Sequence, residues 1–174
     1  MSSSTTPECN CRITLDFDIL RQSQVFAGAP AEVVKLFAYL SRHRTYQPGA
    51  SILLQGDKAE NCYLIISGEV DIITRHRDQE IVVQRLRPGS FFGELALLAR
   101  FDWFFSARAT QETEILIISR EGFEKVLSKY PEKRDKITEK VIQLRISRFE
   151  NQTANLLDRL LEAGLSADSG PLIG

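Results

Sequence analysis

Short apolar runs recur at even intervals through the middle of the chain, and turn residues fence each of them. Segments 51–54, 62–66, 69–74, 81–86, 106–110 and 114–119 are rich in β-branched and aromatic residues and read as strands. Gly56-Asp57, Ser67-Gly68, Asp78-Gln79 and Pro88-Gly89 supply the punctuation. This spacing predicts a barrel or sandwich, here a β jelly roll (a double-stranded β-helix). Upstream, residues 1–14 read as a disordered polar tail and 15–20 as a first helix. A second helix fits 30–41, opened by Pro30, with Val33, Val34, Phe37, Tyr39 and Leu40 as its apolar positions. The expected fold is therefore mainly β, with N-terminal helices before the barrel and a long C-terminal helix after it.

The period changes after Ser119. Phe123, Val126 and Leu127 mark a helix over 120–129, and Tyr130-Pro131 breaks and restarts the chain. A long helix then runs to about Ala163. Its residues Ile137, Val141 and Leu144 make one apolar stripe. Ile142, Ile146, Phe149, Thr153, Leu156, Leu160 and Ala163 make a second, at strict four-three spacing. A helix of this length extends ~45 Å, beyond the width of a small barrel. One stripe can pack on the barrel, and the seam of Ile142, Ile146, Phe149, Leu156 and Leu160 predicts a parallel homodimer rather than a helix folded back on its own domain. The boundaries that follow are a tail at 1–14, a barrel domain at 15–130, a dimerisation helix at 131–164 and a flexible tail at 165–174.

Candidate chemistry sits in Phe92-Gly93-Glu94-Leu95-Ala96-Leu97-Leu98, a helical turn opened by a glycine and a carboxylate. Gly93 permits close approach of the backbone to a ligand, and the amides of Leu95 and Ala96 are expected to be free donors for an anion. Glu94 is better suited to accept from uncharged hydroxyls such as those of a ribose. Without other features, the same residues would describe a tight turn and a stabilised helix start.

Composition narrows the function classes. The chain has 174 residues and a formal net charge of −1, a near-neutral balance that gives no global electrostatic pull toward nucleic acid or an anionic membrane. No apolar run approaches the roughly 20 residues of a membrane span, and the N-terminus lacks signal-peptide features, so a cytoplasmic location is the expectation. Cys9, Cys11 and Cys62 are too few for a disulfide framework and one short of an iron–sulfur ligand set. His43 and His76 have no ligand cluster around them, so neither a metal site nor the chemistry of a metal-dependent barrel enzyme is expected.

Taken together, Tyr46-Gln47-Pro48-Gly49, Gln55-Gly56-Asp57, Tyr63-Leu64-Ile65-Ile66-Ser67-Gly68-Glu69-Val70, Leu86-Arg87-Pro88-Gly89, the 92–98 segment and Ala107-Arg108-Ala109-Thr110 resemble the cyclic nucleotide-binding domain family. The resemblance covers about residues 18–163. It implies a jelly-roll barrel that holds cyclic AMP or cyclic GMP in a phosphate-binding cassette, and a C-terminal helix that moves over the base. Glu94 would accept from the ribose 2′-hydroxyl, and the backbone at Leu95 and Ala96 would meet the cyclic phosphate.

The chain departs from that family where charge matters most. An ungapped count puts Trp103 in the place of the phosphate-binding arginine and Phe104 at the following small hydroxyl position. Arg100 is the nearest candidate substitute, and Arg108 is expected to be a surface charge. Phe101, Trp103, Phe104 and Phe105 could fill the emptied pocket or extend the core, line a site for an apolar ligand, or form a surface for a partner protein. With about ten residues after the long helix, neither a helix-turn-helix domain nor a second nucleotide domain is expected. The resemblance thus implies a dimeric regulatory or sensor module with weakened or lost cyclic nucleotide binding, or a degenerate dimerising scaffold.

Overall fold

The runs at 62–66 and 114–119 are continuously apolar because the sheet they form is buried on both faces. In the computed structural model, which describes residues 7–162, the strands are β1 (Arg42–Tyr46), β2 (Ser51–Leu53), β3 (Asn61–Ser67), β4 (Val70–His76), β5 (Gln79–Leu86), β6 (Phe91–Phe92), β7 (Ser106–Ala109) and β8 (Thr113–Ser119). They make two four-stranded antiparallel sheets, ordered β1-β8-β3-β6 and β2-β7-β4-β5. In β3, Tyr63 and Ile65 join the barrel core, whereas Cys62 and Leu64 join a second core beneath the helices. β8 divides the same way, with Ile115 and Ile117 inside and Leu116 and Ile118 outside. The period-2 alternation persists, but both faces are apolar.

The helical layer comprises α1 (Pro7–Gln22), α2 (Ala31–Leu40), α3 (Arg120–Lys129) and α4 (Arg134–Glu162). Phe26, Val33, Val34, Phe37, Phe123, Val126, Ile137 and Val141 fill the space between it and the sheet. Ser119 switches the chain from β8 into α3, its hydroxyl accepting from the Gly122 amide at 3.1 Å. Among the described residues, no helix is long and apolar enough to cross a membrane.

The jelly-roll architecture, the second helix and the long C-terminal helix stand as read from the sequence; three details need correction. The first helix begins at Pro7, not after a disordered stretch to residue 14, because Ile13, Phe17 and Leu20 recur on one face and pack against the helical core. Asp16 and Glu114 also flank the two ring nitrogens of His43, with Glu114 Oε1 2.9 Å from Nδ1, which ties α1 to β1 and β8. β1 was missed because its Arg-His-Arg-Thr-Tyr sequence lies at a sheet edge, where only Tyr46 must be buried. β6 has two residues, too short for a periodic signal. Residues 1–6 and 163–174, including Ala163 and the expected C-terminal tail, lie outside the described part.

Candidate ligand site

Gly93 closes β6 with a left-handed φ of 76°, and the chain then enters the 3-10 turn Glu94–Leu97. A Cβ at position 93 would stand 2.7 Å from Trp103 Cη2 and 3.0 Å from the Asn61 carbonyl oxygen, so both conformation and space require glycine. The turn also changes the expected donor pair. Because a 3-10 turn closes at i+3, the Ala96 amide donates to the Gly93 carbonyl at 3.0 Å and is not free; Ala96 is fully buried. Leu95 is half-buried, and neither residue lines the neighbouring cavity.

Arg120, at the start of α3, fixes the far end of the cassette. Its Nε donates to the Ala96 carbonyl at 2.6 Å, and its Nη2 donates to the carbonyls of Ala99, at 2.7 Å, and Ala59. Sequence reasoning missed this clamp, because backbone carbonyls leave no signature in residue identity.

Behind Gly93 lies Trp103, only 3% exposed and part of the barrel core. Its position comes from a short extended pairing in which the Trp103 amide donates to the Asp57 carbonyl and the Gly56 amide to the Trp103 carbonyl, both at 2.7 Å. Phe101 meets the indole edge-on with centroids 5.3 Å apart, Phe105 lies at 5.3 Å and Tyr63 at 6.4 Å. Of the fates open to the aromatic cluster, core filling describes Trp103, which neither forms a partner surface nor lines the cavity. Phe104 is 55% exposed and does line it.

The cavity, about 620 Å³, lies between β4–β5, the cassette and α4. Gly93 and Glu94 border it; Arg100 is exposed and does not, so it supplies no replacement cation there. Arg108 pairs with Glu80 at 3.3 Å outside the cavity. Beside Arg85 of β5, the cations come from α4, which presents Arg145, Arg148, Gln152, Asn155 and Arg159. These positions recur at the helical three-four spacing, a polar stripe that a search for apolar periodicity passes over. Arg148 Nη1 donates to Glu94 Oε2 at 3.0 Å, and Glu94 is 3% exposed. The carboxylate expected to accept from a sugar hydroxyl is therefore held by the C-terminal helix. Beneath it, burial pushes the Cys62 thiol up, the Glu94 charge adds to that shift and Arg148 opposes it. The Tyr63 hydroxyl is pushed up to about 12, chiefly by burial.

On α4 the predicted seam separates from the cavity face. Ile142, Ile146, Phe149 and Leu156 are exposed and Leu160 half-buried, while Leu156 alone of these also borders the cavity.

A barrel of this topology with a Gly-Glu 3-10 turn between β6 and β7 and a long helix across its mouth is the architecture of a cyclic nucleotide-binding module. The sequence profile of the cyclic nucleotide-binding domain matches residues 43–130. Over 166 residues the chain is 33% identical to the cyclic AMP receptor protein of Thermus thermophilus, covering 88% of this chain and 74% of that protein. The chain belongs to the cyclic nucleotide-binding domain family. The crystal structure of the Thermus thermophilus catabolite activator protein superposes with a TM-score of 0.66 at 31% identity, over 80% of this chain and 63% of that one. A cyclic nucleotide-binding domain from Methylobacillus flagellatus aligns over 95% of this chain and 89% of its own with a TM-score of 0.77; at 19% identity, this likeness speaks for the fold alone.

Proposed function

We propose that this chain is a dimeric regulatory module in which cyclic AMP and cyclic GMP are no longer effective ligands, and which reports through α4. The observation that carries this reading is the buried Glu94–Arg148 pair backed by Trp103. A ribose hydroxyl would have to compete with a guanidinium for Glu94, and an indole stands where the family resemblance puts the phosphate-binding cation. Loss of a desolvated, charge-assisted phosphate contact typically costs several kcal/mol, about two or more powers of ten in affinity. Calorimetry with cyclic AMP and cyclic GMP is expected to give dissociation constants weaker than about 100 μM. Micromolar binding by the unmodified protein would overturn the reading.

The alternative, a dimerising scaffold that binds no small ligand and contacts an unidentified protein, is favoured by the exposed seam. Both readings use the same dimer, formed through Ile142, Ile146, Phe149, Leu156 and Leu160. Phe149, 61% exposed and away from the cavity, offers the cleanest test. Phe149→Asp should convert the dimer to monomer in light scattering without loss of circular dichroism; a monomeric parent would end the proposal.

A further inference from the structure

We infer that the cavity between β4–β5, the cassette and α4 takes an organic anion with an apolar body, whose charge is held by the arginines of α4 rather than by the cassette. The inference rests on the proposed function, since it names what would replace the cyclic nucleotide.

Charge around the cavity is unbalanced. Among the described residues Glu94 is the one carboxylate lining it, and Arg148 already holds that group. Arg85, on β5, is held by Asp71 through Nε at 2.7 Å and Nη2 at 3.0 Å. Once these pairs are removed, Arg145 and Arg159 remain, with no ion-pair partner among the described residues. Arg148 also gives Glu94 only one of its five N–H donors, through Nη1. A partly enclosed space with unpaired guanidinium groups favours an anion, and planar guanidinium suits carboxylate, sulfonate or phosphate oxygens.

The opposite wall sets the rest of the ligand. Val82 is 52% exposed, and the rings of Phe104 and Phe105 meet edge-on at 5.0 Å. With Leu156 from α4 they form an apolar surface that hydroxyl-rich sugar would solvate poorly and a flat or branched hydrocarbon body would cover. About 620 Å³ is room for such a molecule. Because the charge is recognised by α4, occupancy would bear directly on the helix that carries the dimer seam.

The test uses two fluorescent probes with the same anilinonaphthalene body, 1-anilinonaphthalene-8-sulfonate and uncharged N-phenyl-1-naphthylamine, on the full chain. The sulfonate should bind saturably, one per chain. R145Q/R159Q, which changes only unpaired side chains, should weaken the sulfonate about tenfold while leaving the uncharged probe within about twofold. Phe104→Ala should weaken both. No saturable sulfonate binding, or sulfonate binding indifferent to the two arginines, overturns the inference. Cyclic AMP that binds at micromolar concentration and displaces the sulfonate would overturn the proposed function while supporting an anion site here. Weak cyclic AMP binding without a sulfonate response would overturn the inference alone.

Discussion

Trp103→Ala is expected to lower the free energy of unfolding by about 3–5 kcal/mol, the range for emptying a well-packed aromatic site. The ring is in contact with the core on several sides: Tyr63, Phe101 and Phe105 surround it, and Gly93 packs directly on its edge. The walls of that space cannot readily collapse, since Trp103 is flanked by backbone hydrogen bonds to Gly56 and Asp57 on one side and by the glycine turn on the other. Phe104→Ala, which removes a largely exposed ring, should stay within about 1 kcal/mol. Urea unfolding followed by far-UV circular dichroism measures both, because the variant removes the chain's one tryptophan and with it the fluorescence signal. Equal effects from the two substitutions would mean that Trp103 is not the prop of the cassette. Trp103→Arg should cost at least as much as the alanine variant, because it places a guanidinium among Tyr63, Phe101 and Phe105 while Glu94 is already paired.

How far the fold was legible depended on which residues carried the signal. Turn glycines and apolar runs marked most strands, since most of them bury apolar side chains and the chain must reverse between them; β5 shows the same apolar run although Ile81, Val82 and Val83 stay exposed. β1 escaped because an edge strand with four charged or polar residues has no apolar alternation to show. The cassette was legible as Gly93-Glu94, yet its state was not. That the turn is 3-10, with the Ala96 amide taken, depends on closing geometry that the residues alone do not fix. Trp103 was recognised as out of place in the family pattern, but its burial follows from the pairing of its backbone with 56–57, a long-range contact. The largest omission was Arg148. Its helix was correctly placed, but only its apolar stripes carried a periodic signal, and Arg145, Arg148 and Arg159 lie between them. Only the packing of α4 across the cassette turns that stripe toward Glu94.

Removing Arg148 should therefore have an effect out of proportion to a single hydrogen bond. Arg148→Met leaves the Glu94 carboxylate buried without its cation, and breaking such a pair typically costs about 3–5 kcal/mol; a loss near the lower end is expected because the Arg148 side chain remains 17% exposed. Glu94→Gln should cost less, since an amide oxygen still accepts from the guanidinium. The double variant E94Q/R148M should lose about 1–3 kcal/mol less than the sum of the singles, because it removes the stranded charge along with the partner. Chemical unfolding of the four proteins yields that coupling, and additivity would mean that the pair contributes little. The same substitution has a local consequence. Beyond Ile137 and Val141, the described polar ties from α4 to the barrel are Arg148 to Glu94 and Gln152 to Gln84, at 3.0 Å each. Amides after position 148 should consequently exchange faster in Arg148→Met, while those around Val141 keep their protection. If Arg148 is also what withholds Glu94 from a sugar hydroxyl, this variant should bind cyclic AMP more tightly than the parent. Faster exchange without a gain in affinity would then assign the remaining block to Trp103.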